Sequence, residues 1–123
     1  MKNIIITNNF KEFNKKVEEY IEKYKGKFGC IVSFNGFVRE YDVIDGKKIP
    51  SKGMKIYDDI FEKLKVIVNE AKNKFDVIDI VIYHNTGFLN IGDRVMSIAV
   101  FARHRDEGFK ALEYIIKEAK KYH

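Results

Sequence analysis

Hydrophobic positions recur along this chain with two periods, one extended and one helical. Residues 3–7 (NIIIT) form a short β-branched run that predicts a first strand. Asn8 or Asn9 is placed to cap the helix that follows. In that helix Phe13, Val17, Tyr20, Ile21 and Tyr24 share one stripe, and Lys15, Lys16, Glu19 and Glu22 lie opposite. Gly26 marks its stop. Residues 28–39 read as a second strand, with Cys30, Val32 and Phe34 on its buried face and Ile31, Ser33 and Asn35 on the other. Gly36 interrupts it, as a bulge or a close backbone approach would. Residues 40–53 carry the turn signal Asp45-Gly46 and the only proline, Pro50, and read as a mobile loop or an exposed hairpin.

The second half continues the alternation. Residues 54–57 (MKIY) read as a short strand, and Asp58 or Asp59 opens a helix with Ile60, Leu64, Ile67, Val68, Ala71 and Phe75 on one face. Residues 77–84 (VIDIVIYH) are a strand, Asn85-Thr86-Gly87 a turn, and Phe88, Leu89 and Ile91 a short extended piece. Gly92-Asp93 turns the chain into residues 94–102, apolar on both faces apart from Ser97, and so a central strand. A last helix follows Arg105, with Phe109, Leu112, Ile115, Ile116 and Ala119 expected on its buried face. Strands clustered between three helices predict an α+β fold, a largely antiparallel sheet covered by helices. A chain of 123 residues is expected to form one domain, residues 1–123.

Composition narrows the function classes. The net charge of +5 favours anionic partners, but no basic stripe interleaved with aromatics recommends nucleic acid. No apolar run approaches the ~18 residues of a membrane span, and MKNIIITNNF is too short an apolar start for a signal peptide. Cys30 is the only cysteine, so no disulfide forms within the chain; a reducing, cytoplasmic setting is expected. It reads as an inert core thiol. His84, His104 and His123 lack metal-ligand spacing, so neither a metal nor a resident cofactor is expected. Glycine-rich phosphate-binding and nucleophile-elbow motifs are absent.

What remains is a set of cations beside strand ends. Arg105 opens a helix, where a cation opposes the macrodipole and is tolerated if an anion sits between it and the free N–H groups. An anion site at His104–Arg105 is one reading; a solvated arginine beside a capping or packing histidine is the other. Arg39 and the lysines of the last helix complete the set. Arg105 and Lys120 lie fifteen positions apart, roughly 22 Å along a straight helix, too far to serve one small substrate within one chain. If both are functional, either there are two sites or one site joins two copies.

Four motifs in order resemble the large, catalytic subunit of molybdopterin synthase. Gly29, Ile31, Ser33, Phe34, Gly36, Val38 and Arg39 match G-x-[VI]-x-[ST]-F-x-G-x-V-R. Glu70, Ala71, Lys72, Lys74 and Phe75 match E-A-[RK]-x-[RK]-[FW]. His84, Gly87, Leu89, Gly92 and Asp93 match H-x-x-G-x-L-x-x-G-[DE], and His104, Arg105, Gly108 and Phe109 match H-R-x-x-[AG]-F twenty positions after His84. The resemblance implies an α/β hammerhead fold and a homodimer within a heterotetramer. It also implies a small ubiquitin-like sulfur-carrier subunit, whose C-terminal Gly-Gly thiocarboxylate enters a pocket on the large subunit. The implied reaction adds two sulfurs to cyclic pyranopterin monophosphate and makes the dithiolene of molybdopterin.

On this resemblance Phe37, Val38 and Arg39 would line the substrate pocket. His104 and Arg105, from the other protomer, would bind the anionic part of the substrate, and Lys120 would be the catalytic lysine. The family pattern differs at three places: VRE stands here for VRD or VRN, MKIYDDIF replaces L-E-Y-E-x-Y-P, and no P-x-W-K segment with a second lysine occurs in these residues. Lys121 or the loop at residues 47–52 are the candidates to replace that lysine. The alternative from another class is a catalytically inactive paralogue that binds the carrier or a phosphorylated ligand.

Overall fold

The computed structural model describes residues 5–123. In chain order it runs β1 (Ile5–Thr7), α1 (Phe10–Lys23), β2 (Cys30–Phe37), β3 (Tyr41–Ile44), β4 (Lys47–Pro50), β5 (Met54–Ile56), α2 (Ile60–Lys74), β6 (Val77–His84), β7 (Gly87–Leu89), β8 (Arg94–Ala102) and α3 (Arg105–Ala119). A 3-10 turn, Lys120–Tyr122, follows. The α+β expectation holds. Residues 3 and 4 of the expected first strand lie outside the described residues.

The main sheet has the order β1-β6-β8-β2. β8 pairs antiparallel with both β6 and β2, and among the described residues the one parallel pair is β1 with β6. Central position explains the apolar composition of β6 and β8, because helices cover both faces. Along β6, Ile80 and Ile82 face one core with Leu64, Val68, Ala111 and Ile115 of α2 and α3. Val81 and Tyr83 face the other, with Phe13 and Tyr20 of α1 and Phe101 of β8. Asp79 is a buried polar exception: it joins Lys72 Nζ at 2.8 Å, accepts from Tyr24 Oη at 2.6 Å, and ties β6 to α2 and to the end of α1. Burial, then the Asp79 bond, raises the Tyr24 pKa, so the phenol keeps its proton as donor.

Local chemistry sets the ends. Asn9 caps α1 by accepting from the Glu12 N–H at 3.1 Å. An Asn9→Ala variant is expected to lose about 1 kcal/mol, read as a drop of a few degrees in Tm. Asp59 holds the position before α2, yet its side chain makes no capping bond. Residues 40–53 resolve into an exposed hairpin. Asp45 and Gly46 both take positive φ, 51° and 75°, which suits a two-residue turn between twisted strands.

Two expectations change. β2 stops at Phe37, short of Arg39, because the ladder to β8 shifts register between Gly36 and Phe37. A Cβ on Gly36 would meet the Phe34 ring at 2.9 Å, so the bulge and the close approach occur together. Phe109 is not a core residue and is 57% exposed. The buried stripe of α3 is Gly108, Ala111, Leu112, Ile115 and Ala119. Gly108 sets that rotation, since a Cβ there would come within 2.9 Å of Val32, and the helix therefore turns its bare position to β2.

Candidate functional site

Phe37, Val38, Arg39 and Lys120 meet around one cavity of about 310 Å³. Phe34, Gly36, Asp42, Ser51, Met54, Met96 and His123 are among its other walls. Each predicted residue arrives there for a local reason. The bulge at Gly36 redirects the end of β2. Val38 is then pinned to the turn before β8: its N–H donates to the Asp93 carbonyl and its carbonyl accepts from Gly92 N–H, both at 2.9 Å. Phe37 is braced by the Arg94 guanidinium, 4.7 Å from its ring centroid, and Arg94 also bonds Asn35 at 2.7 Å and Ser97 at 2.8 Å. Arg39 is 76% exposed and lies 3.7 Å from Asp42 of the hairpin. So loose a pair leaves the guanidinium able to turn to an anion.

Lys120 follows the last residue of α3 and is exposed. A cation is favoured at a helix C-terminus. Of the proposed replacements for a second lysine, Lys121 bonds Glu118 at 2.9 Å, which raises its pKa. Lys47, Lys48 and Lys52 are absent from the lining, to which their segment contributes Ser51.

His104 and Arg105 lie elsewhere. With Gly29, Cys30, Arg103 and Asp106 they surround a second hollow at the other end of α3. His104 takes the residue position before α3, but its side chain makes no capping bond, which removes the capping alternative. Arg103 is engaged by Asp76 at 3.0 Å. Among the described residues Arg105 has no ion pair within 4.0 Å. One chain thus carries two groups of cations at opposite ends of one helix, separated as the helix length required.

Sequence reasoning missed His123 and the role of its neighbour His84. His84 ends the buried face of β6 and is 0% exposed. Its Nδ1 is 2.7 Å from the Asn85 carbonyl oxygen, and its Nε2 is 2.9 Å from His123 Nε2. The signal was present in part: His84 continues the alternation of Ile80 and Ile82, so its burial was legible, though not its partner. Burial lowers the His84 pKa, against a smaller opposing effect of the Asn85 bond. His123 as a residue is exposed, but desolvation of its ring where it meets His84, with the His84 and Lys120 charges beside it, lowers its pKa to about 4.

No helix among the described residues is long and apolar enough to cross a membrane, and no group of three or more metal-ligating side chains occurs among them.

The chain is 74% identical over 119 residues to an uncharacterized protein of Methanocaldococcus jannaschii, covering 97% of this chain and 100% of that one. It is 35% identical over 94 residues to the molybdopterin synthase catalytic subunit of Pyrococcus abyssi, covering 76% of this chain but 62% of that subunit. Its fold matches a molybdopterin synthase crystal structure from Staphylococcus aureus with a TM-score of 0.66 at 30% identity, over 98% of this chain and 85% of that one. The family model described as MoaE protein matches residues 8–122, and the chain belongs to that family.

Proposed function

We propose that the chain, acting as one domain, is the catalytic subunit of a cytoplasmic molybdopterin synthase. It would take sulfur from the C-terminal Gly-Gly thiocarboxylate of a small ubiquitin-like carrier. The acceptor would be cyclic pyranopterin monophosphate, which becomes the molybdopterin dithiolene. The observation that carries this reading is the meeting of Arg39 and Lys120 at one cavity in a MoaE family chain. Arg39 offers a planar donor pair for phosphate or carboxylate. Lys120 is the general acid–base or transient nucleophile at the reacting centre. Phe37 and Val38 supply apolar wall against the ring system.

A homodimer completes the site in this reading. Arg105, Phe109, Leu112, Ile116 and Lys120 follow one another at helical spacing along one side of α3. Phe109, Leu112, Glu113, Ile116, Lys117 and Lys120 border a shallow, mainly apolar hollow there. The stripe is self-complementary. A two-fold axis between residues 112 and 113 sets Phe109 against the second copy's Ile116, and Arg105 against its Lys120. Antiparallel helices packed roughly 8–10 Å apart bring those long side chains within reach of one ligand. His104 and Arg105 of one copy would then hold the anionic part of the substrate in the other copy's cavity.

The test is reconstitution. The protein is mixed with thiocarboxylated carrier and cyclic pyranopterin monophosphate, and dithiolene is measured. Product is expected in proportion to the carrier consumed. Tight carrier binding without product would sink the enzyme and leave a carrier-binding module. A further expectation concerns assembly: Phe109→Asp places a charge at the centre of the apolar stripe. It should shift the chain toward monomer in sedimentation, with helix content unchanged, because Phe109 lies outside the core.

A further inference from the structure

The contact between His84 and His123 spans 39 positions and joins the end of β6 to the end of the Lys120–Tyr122 turn. Its proton arrangement follows from its partners. The Asn85 carbonyl can only accept, so His84 Nδ1 carries the hydrogen of that 2.7 Å bond. A neutral His84 then has its lone pair on Nε2. His123 Nε2, 2.9 Å away, must be the donor. A neutral His123 therefore keeps its own lone pair on Nδ1. Its backbone N–H also bonds the Lys120 carbonyl at 3.3 Å, and both side chains line the cavity.

We propose that His84, resting on the sulfur-transfer reading above, is a positioning residue that acts through His123: it anchors the turn carrying Lys120 and keeps an uncharged imidazole beside that lysine. Without the anchor the turn keeps its short-range backbone bonds and the exposed contacts of Lys121 with Glu118 and of Tyr122 with Lys63. The neutrality matters because the surroundings are cationic. Lys120 and Arg39 line the cavity with His123, one from the turn and the other from the segment after β2. Lys63 of α2 sits 5.3 Å over the Tyr122 ring. Asp42 is the cavity's one acidic neighbour and lies 3.7 Å from Arg39, while Glu118 is paired with Lys121. A proton added to the pair would repel Lys120, and a second could not be shared between the facing nitrogens.

Both rings resist protonation in the folded chain, so below the ordinary value of 6.5 the unfolded chain takes up the proton first. The stabilisation is full above pH 6.5 and is lost as pH falls toward the folded His123 value of about 4.

The experiment combines imidazole ¹⁵N NMR on the full chain with turnover. In the wild type, His84 is expected as the Nδ1–H tautomer and His123 as the Nε2–H tautomer, with His123 still neutral at pH 5.5. His84→Phe should move the His123 midpoint upward. In the reconstituted assay His123→Phe is expected to lower kcat about 10- to 100-fold with KM little changed, while His123→Gln, whose amide still donates to His84 Nε2, recovers most of it. Equal turnover of wild type and His123→Phe would overturn the proposal, as would ordinary titration of His123 in the wild type. If the wild type makes no dithiolene, the sulfur-transfer reading fails by itself. The anchor is then judged on ¹³C-methylated lysine signals: His123→Phe should shift Lys120 and His123→Gln should not, and an unmoved Lys120 would refute it.

Discussion

Lys120→Ala is expected to lower dithiolene formation by about 100-fold or more, the loss typical of a positioned proton donor or acceptor. The fold should survive the change. Lys120 is exposed and follows the last residue of α3, so its removal strands no buried partner and opens no cavity in the core. Circular dichroism and urea midpoint should match the wild type. An Arg105→Ala variant should also lose activity, for the different reason that it removes an anion clamp. The informative measurement mixes the two variants. After random exchange of subunits, half the dimers pair one variant with the other, and each such dimer holds one intact site of two. Recovery toward about a quarter of wild-type activity is therefore expected. No recovery would mean that Arg105 and Lys120 do not share a site across copies, and a Lys120→Ala variant as active as wild type would remove Lys120 from the mechanism.

Asp79→Ala should produce the largest stability loss, about 3–5 kcal/mol, measured as a fall in the urea midpoint. The Lys72 and Asp79 side chains are 8% and 7% exposed. Removing the carboxylate leaves the Lys72 ammonium charged and without its partner inside the protein. It also takes the acceptor from Tyr24 Oη and from the Ile80 N–H, each within 2.8 Å. Asp79→Asn keeps an acceptor oxygen and should lose less. The three partners belong to α1, α2 and β6, so the loss is that of a joint between elements. A change below about 1 kcal/mol would mean that water takes over these groups and that the joint is weaker than its geometry suggests.

Much of the fold is legible along the chain because periodicity is a local property. The helical stripe of Ile60, Leu64, Ile67, Val68 and Ala71 and the two-sided apolar run of β8 announce their own burial. The hairpin was one of two readings of residues 40–53, and the Asp45-Gly46 pair, both in positive φ, decides it. Phe109 went the other way. Its spacing matches both the buried stripe and the stripe beside it, and only the approach of Gly108 to Val32 chooses between them. The separation of the cations was partly legible as well. The rise of a helix separates Arg105 from Lys120 whatever the tertiary structure, whereas the meeting of Lys120 with Arg39 depends on how α3 lies across β2.

By itself, then, the sequence determined the α+β order of elements, the family resemblance, and the distance that divides the cations of α3 into two groups. Each of these follows from spacing along the chain. The tertiary structure alone decided which residues close the cavity at Lys120, that Lys72, Tyr24 and Asp79 form one buried joint, and that His84 reaches His123. Those contacts join positions 7 to 81 residues apart. No local period encodes them, because they form only when the helices pack on the two faces of the sheet.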